Sequence, residues 1–133
     1  ISSHGLLNRP HIKTHKIPAI GKLQMKAGAF GLTCQKLGEA EVFIDAGVCD
    51  DLLLTYNIIG ERKTDRLMEL AGRIKRLAVV ADNETVLRGL SEAGQRHGRN
   101  ATRASGAMVC NPLRLHSNSL VLLRSCRASP LRD

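Results

Sequence analysis

The sequence contains no tryptophan, and aromatic residues make up only 2% of its 133 residues. Proteins that bind single-stranded nucleic acid by stacking the bases need an aromatic surface, so the composition disfavours that class. No apolar run approaches the roughly 20 residues of a membrane-spanning helix. No signal peptide opens the sequence, and we expect a cytoplasmic protein with no membrane partner.

Cysteine is scarce and scattered along the chain. The four cysteines, Cys34, Cys49, Cys110 and Cys126, form no CxxC pair. Such spacing indicates reduced thiols rather than a disulfide framework or a zinc site. This agrees with the expectation of a cytosolic protein.

Acidic residues are nearly missing from the end of the chain. Residues 1–98 contain 14 Lys and Arg against 11 Asp and Glu, whereas residues 99–133 contain 6 Arg against the single acid Asp133. More than half of the net charge of +8 therefore belongs to the last quarter of the chain. A nucleic-acid-binding domain is expected to carry its positive charge on a folded face, so we expect no nucleic-acid partner.

Residues 1–98 do contain a repeating pattern, in which an extended stretch is followed by an amphipathic helical stretch. The extended stretches are 9–16, 29–34, 50–56 and 77–82, and the helical stretches are 17–28, 36–47, 61–77 and 83–98. Strands that alternate with helices predict parallel strands joined by right-handed crossovers. A doubly wound sheet and half of a (β/α)8 barrel both fit, since a complete barrel needs about 250 residues.

Apolar residues at helical spacing predict the buried face of each of the first three helices. These faces are Ile17, Ile20, Leu23 and Ala27; Leu37, Ala40, Phe43 and Ile44; and Leu67, Leu70, Ile74 and Leu77. Gly28 and Gly47 stand where helices commonly end. Asn83, or Asp82, is the expected N-cap of the fourth helix.

The pattern stops after Gly98. Residues 99–133 are rich in Arg and Ser, and only "SLVLLRS" could form a strand there. Two interpretations stay open: a disordered basic tail, or a shift of the reading frame near residue 99, which we favour slightly. The predicted domains are thus a βα-repeat region over 1–98 and a divergent basic tail over 99–133.

The segment "RPHIKTHK", residues 9–16, has an unusual distribution of charge. In a strand, side chains alternate between the two faces, so Arg9, His11, Lys13 and His15 would share one face. A solvated edge strand would explain the pattern, and so would a lysine held in a functional cavity.

Three segments, "RPHIKTHK", "LTCQKLGEAEVFIDAG" and "DDLLLTYNIIG", resemble the N-terminal half of the D-threonine aldolase / D-serine dehydratase family. The resemblance covers about residues 7 to 98, and its "CQK" segment is more similar to the aldolases. It implies the N-terminal half of a (β/α)8 barrel of the alanine-racemase type, followed here by an irregular C-terminal tail. The domain implied for residues 1–98 is therefore a partial pyridoxal-phosphate-binding barrel.

The resemblance also implies a catalytic residue. Lys13 matches the family's Schiff-base lysine, which binds pyridoxal 5'-phosphate at the carboxyl end of the first strand. His11 and Gln35 are the further cofactor-binding candidates. The family is expected to bind a divalent metal, but no position of this chain matches its ligands, so no metal site is predicted.

The implied function is a pyridoxal-phosphate-dependent lyase that cleaves β-hydroxy-D-amino acids to glycine and an aldehyde, present here as a fragment or truncated product. A D-serine dehydratase-like deaminase and a non-catalytic pyridoxal-phosphate-binding protein are the alternatives. A homodimeric parent enzyme fits the family. We expect the chain alone to be inactive, with the edge of its fourth strand (77–82) left unpaired.

Overall fold

The computed structural model describes residues 4–99 and, for the backbone, residues 101–104 and 119–124. Its helices are α1 (Pro18–Lys26), α2 (Leu37–Asp45), α3 (Glu61–Ala71) and α4 (Glu84–Arg96). Its strands are β1 (Leu32–Cys34), β2 (Asp51–Leu54), β3 (Arg76–Ala81), β4 (Ala101–Ala104) and β5 (Ser119–Arg124). None of the helices within these ranges is long and apolar enough to cross a bilayer.

The strands form one sheet in the order β1-β2-β3-β5-β4. Strands β1, β2 and β3 are parallel, with Leu32 opposite Leu52 and Leu52 opposite Leu77. Their connections each contain a helix, as parallel neighbours require. The predicted α/β class with parallel βα units is therefore confirmed for three strands.

The segment predicted as the first strand contributes only a single bridge to the sheet. His11 is paired in parallel with Thr33, and the N–H of Ile12 donates to the Thr33 carbonyl at 2.9 Å. A turn follows at once, closed by the N–H of Lys16 donating to the Ile12 carbonyl at 2.9 Å. The predicted alternation of faces through residue 16 is wrong beyond Ile12, because the backbone leaves the extended conformation at Lys13.

The core lies between the parallel strands and the helices. Helix α2 buries Leu37, Ala40 and Phe43 as predicted, while Ile44 is only partly buried. Helix α3 ends at Ala71, so the helix predicted over 61–77 is too long. Its last two predicted face residues are buried by other elements: Ile74 in the connection and Leu77 within β3.

The predicted buried face of α1 is wrong. Ile17, Ile20 and Leu23 are 48%, 36% and 64% exposed, whereas Gly21 is buried. A Cβ atom at Gly21 would lie only 2.6 Å from Cε1 of Phe43. Helix α1 thus contacts α2 through Gly21, which has no side chain. A pattern of apolar side chains cannot reveal such a contact.

The predicted helix ends are confirmed. Asn83 caps α4, with its side-chain oxygen accepting the N–H of Val86 at 3.0 Å. Gly28 and Gly47 follow α1 and α2 with φ values of 96° and 57°. This left-handed conformation is the one that favours glycine after a helix.

The expected unpaired edge of the strand predicted at 77–82 is wrong. All six residues of β3 pair with β5, which runs antiparallel to it. Strand β5 falls within the predicted "SLVLLRS" strand and pairs on its other side with β4. The predictions of disorder or a shifted reading frame concern a tail of which residues 100, 105–118 and 125–133 lie outside the described residues.

Candidate functional site

The candidate site lies where the parallel strands end. Gln35 follows β1, Thr55 follows β2, and Asp82 follows β3. The carboxyl ends of parallel strands meet at one edge of the sheet, where α/β proteins place their ligands. Lys13 reaches the same edge, since Lys13 and Gln35 each stand two residues beyond the bridged pair of His11 and Thr33.

The turn at residues 13–16 presents Lys13 to solvent. The N–H of Lys13 donates to Nδ1 of His11 at 3.1 Å, and the N–H of Ile17 donates to Nδ1 of His15 at 3.1 Å. Lys16 has a φ of 53°, a left-handed conformation that a lysine adopts at an energetic cost. The surrounding contacts must therefore hold this turn in place.

The hydrogen bonds of His11 favour one tautomer of its neutral imidazole. Because Nδ1 accepts a hydrogen bond from Lys13, the ring proton is assigned to Nε2, which lies 3.5 Å from Oγ1 of Thr55. Burial lowers the pKa of His11, and the charge of Lys13 lowers it further, against an opposing effect of Glu39. His11 thus presents a hydrogen-bond donor, not a second cation, beside the lysine.

Glu39 joins the Lys13 turn to the end of β1. Its Oε2 accepts the N–H of Gln35 at 2.9 Å, and its Oε1 lies 3.4 Å from Nζ of Lys16. Burial raises the pKa of Glu39, but hydrogen bonds from the backbone of Gln35 and Lys36 and the nearby charge of Lys16 outweigh that effect, and the net pKa is lowered. Glu39 is therefore an ionised carboxylate although its side chain is only 9% exposed.

Cys34 is the one cysteine that ends a parallel strand within the described residues, and it is inert. Burial raises the pKa of its thiol to about 12, and the nearby Glu39 carboxylate adds to that effect. The reactive form of cysteine is the thiolate, so Cys34 is no nucleophile at neutral pH. Lys13 places an exposed primary amine at this edge of the sheet.

Three side-chain atoms near the site are buried without a protein hydrogen-bond partner: Nε2 of His15, Oδ1 of Asn57 and Oε1 of Glu39, which has its ion pair with Lys16. His15 packs its ring against Phe43 at a centroid distance of 6.4 Å. Buried polar atoms normally have partners, and those of His15 and Asn57 have none among the described residues. No cluster of three or more His, Cys, Asp or Glu able to hold a metal occurs in the described ranges.

The structure thus brings all three predicted site residues, Lys13, His11 and Gln35, to one edge of the sheet. The prediction missed Thr55 and Glu39. Thr55 is a polar residue directly after the buried run "DLLL", and this position at the end of a strand could have identified it as a site residue. Glu39 has no comparable signal, because its contact with Lys16 spans 23 residues and depends on how the turn folds.

A separate groove of about 320 Å³ lies between α3 and α4, away from the Lys13 turn. It is lined by Ile59, Thr64, Arg88 and Glu92, among others. Its mixed charges and open shape favour no ligand class. The strand edge remains the candidate site.

Comparison with known proteins gives related enzymes. A D-threonine aldolase of Arthrobacter sp. is 38% identical over 90 residues, covering 68% of this chain and 23% of that protein. A 3-hydroxy-D-aspartate aldolase of Paracoccus denitrificans is 37% identical over 97 residues, covering 72% of this chain and 25% of that protein. The chain therefore spans about a quarter of the length of these relatives.

A solved structure shares the fold as well as the sequence. The crystal structure of D-threonine aldolase from Filomicrobium marinum matches with a TM-score of 0.69 and 41% identity. The match covers 73% of this chain and 26% of that one. No protein-family model matches the chain.

Proposed function

Because this chain is related to the D-threonine aldolases over more than two thirds of its length, we propose that it is the lysine-bearing part of a pyridoxal-phosphate-dependent lyase. The substrates are β-hydroxy-D-amino acids, which are cleaved between Cα and Cβ to glycine and an aldehyde. Both relatives' names, D-threonine aldolase and 3-hydroxy-D-aspartate aldolase, describe substrates of this class. The observation that carries the proposal is the Lys13 turn, which stands at the carboxyl edge of the parallel strands.

The proposed architecture is a domain over residues 1–98 that forms the first half of a (β/α)8 barrel. Supporting this, β1, β2 and β3 are parallel neighbours in chain order, and each is followed by a helix. The first barrel strand corresponds to the bridged segment around His11, which lies beside β1. In a complete barrel this segment has a further strand on its other side, and that strand would extend its pairing.

The residues present suit a pyridoxal phosphate site. The cofactor's aldehyde requires a primary amine, and Lys13 supplies one that is exposed at the strand edge. Its ring substituents require hydrogen-bonding partners, and Nε2 of His15 and Oδ1 of Asn57 have none within the described residues. Lys13, His11 and Gln35 would hold the group there.

Pyridoxal phosphate, when bound, supplies an electron sink for the charge that develops on the substrate's Cα. The chain's own residues have simpler tasks. Lys13 would hold the cofactor aldehyde through its primary amine. His11 keeps the neighbouring position uncharged and fixes the backbone of Lys13 through its hydrogen bond at 3.1 Å. Gln35 contributes an uncharged polar side chain from the adjacent strand.

Reductive trapping tests the site. The 133-residue chain is incubated with pyridoxal phosphate, reduced with borohydride and mapped by peptide mass spectrometry. We expect modification of Lys13 to exceed that of Lys22 and Lys26, two exposed lysines of α1 that serve as internal references. Lys13→Arg should lose the Lys13 adduct and leave the references unchanged, because a guanidinium stays protonated and cannot act as the nucleophile.

Equal modification of Lys13, Lys22 and Lys26 would remove Lys13 from the proposed site. The isolated chain should not release aldehyde from D-threonine, even with divalent metal added, because it spans about a quarter of its relatives' length. Turnover by the isolated chain would show that residues 99–133 supply groups assigned here to the remainder of the enzyme.

A further inference from the structure

We infer that Glu39 is a positioning residue, which acts through Lys16 and the backbone of Gln35 to hold the Lys13 turn against the end of β1. We call this set of contacts the Glu39 clasp: Oε2 to the N–H of Gln35, and Oε1 to Nζ of Lys16. The inference rests on the proposed function of Lys13. It assigns to Glu39 a task in the site that the resemblance to the aldolases did not indicate.

The turn that carries Lys13 has little support of its own. One backbone hydrogen bond, from Lys16 to Ile12, closes it, and the imidazoles of His11 and His15 each accept one more backbone N–H. Within it, Lys16 is in a left-handed conformation. Such a conformation persists only where the surroundings hold it. The clasp supplies that restraint at Lys16, and His15 adds a ring contact to Phe43 of the same helix.

Glu39 makes two different contacts. Its bond to the Gln35 N–H, at 2.9 Å, is a charge-assisted hydrogen bond to backbone at the carboxyl end of β1. Its approach to Lys16, at 3.4 Å, is an ion pair rather than a hydrogen bond, since that oxygen has no hydrogen-bond partner. One carboxylate therefore ties the segment carrying Lys13 to the segment carrying Gln35.

A helix-capping role would account for the bond to the backbone of Gln35 but not for the ion pair with Lys16. An acid in the first turn of a helix is stabilising through the helix dipole whatever it faces. Glu41, on the same helix, faces elsewhere and pairs with Arg66 of α3. Glu39 instead has a nearly buried side chain and meets the strained residue of the turn. Glu41 is therefore the matched control for Glu39.

The first test measures amide hydrogen exchange in the full 133-residue chain and its variants. In Glu39→Gln, exchange at Gln35 and Lys16 should accelerate by roughly tenfold or more, the effect of losing a charge-assisted hydrogen bond. Amides of the strand core, such as those of Leu54 and Val79, should keep their rates. Glu41→Gln should change neither set.

The second test repeats the trapping with pyridoxal phosphate in the same variants. Modification of Lys13 relative to Lys22 should fall by roughly two- to fivefold in Glu39→Gln and in Lys16→Met, the range expected for a partly exposed ion pair. Lys16→Arg, which keeps the charge, should retain most of the preference for Lys13. Because Lys16 is 57% exposed, its substitution does not threaten the core if Glu39→Gln unfolds the chain.

Unchanged trapping at Lys13 in both Glu39→Gln and Lys16→Met would overturn the inference and leave the proposed function standing. The proposed function fails on a different result: if trapping in the unaltered chain shows no preference for Lys13, Lys13 is not the cofactor-binding lysine. The amide exchange at Gln35 and Lys16 would still show whether the clasp forms. Acceleration at the core amides together with Gln35 would reduce Glu39 to a general stabilising residue and also overturn the inference.

Discussion

Gly21 is the position where a single methyl group should be most informative about the fold. It lies in α1, and a Cβ atom there would meet Cε1 of Phe43 at 2.6 Å, Cγ1 of Val48 at 3.0 Å and Cδ1 of Leu32 at 3.3 Å. All three partners are buried, so none can move into solvent. We predict that Gly21→Ala destabilises the chain.

The size of the effect follows from two opposing contributions. Overpacking a well-packed site costs about 1–3 kcal/mol, and a ring edge at 2.6 Å places Gly21 in the upper part of that range. Replacing glycine by alanine inside a helix contributes about 1 kcal/mol of stability. The expected net loss is about 1–2 kcal/mol in the free energy of unfolding.

Gly89 of α4 is the matched control, because a Cβ atom there would meet nothing within 4 Å. Gly89→Ala should stabilise the chain by about 0.5–1 kcal/mol. Urea denaturation followed by far-ultraviolet circular dichroism measures both variants. If Gly21→Ala proved as stable as Gly89→Ala, the close approach of α1 to α2 would be refuted.

Three further predictions concern other contacts. Arg9→Met should lower the free energy of unfolding by about 1–3 kcal/mol, because Arg9 donates hydrogen bonds to Asp51 at 2.7 Å and to the Leu32 carbonyl at 3.1 Å. The control Arg88→Met breaks an exposed ion pair with Glu84 and should lower it by less than about 0.5 kcal/mol. Equal losses for the two variants in urea titrations would contradict this prediction. Asn83→Ala removes the N-cap of α4 and should lower the free energy of unfolding by about 1 kcal/mol. Asn83→Ser, which can still cap the helix, should retain most of the stability in the same titration. Folding lowers the pKa of His11 below its ordinary value of 6.5, so the unfolded chain binds a proton at a higher pH than the folded chain does. The free energy of unfolding should therefore decrease as the pH falls below that value. His11→Asn should flatten this decrease, and an unchanged pH profile in the variant would contradict the prediction.

Local patterns predicted the elements whose structure depends on near neighbours. The face of α2 with Leu37, Ala40 and Phe43 follows helical periodicity, and the Asn83 cap needs only a backbone N–H three residues away. Gly28 and Gly47 end helices for the same local reason. The parallel direction of β1, β2 and β3 followed from the alternation of strands and helices.

The remaining features depend on contacts between distant residues. The Lys13 turn interrupts a segment whose alternation suited a strand, and its left-handed Lys16 is restrained by Glu39. Helix α1 exposes its apolar stripe because Gly21 makes the close contact. Strand β5 pairs with β3 in the antiparallel direction, which the βα repeat did not indicate.

We propose that Lys13 is the cofactor-binding lysine of a β-hydroxy-D-amino acid lyase, and a chimeric enzyme tests this proposal. The matching 90-residue segment of the Arthrobacter sp. D-threonine aldolase is replaced by the corresponding segment of this chain, and glycine and aldehyde release from D-threonine are measured with pyridoxal phosphate and divalent metal. We predict turnover by the chimera and none by its Lys13→Arg variant. Undiminished turnover in the Lys13→Arg chimera would show that Lys13 is not the cofactor-binding lysine.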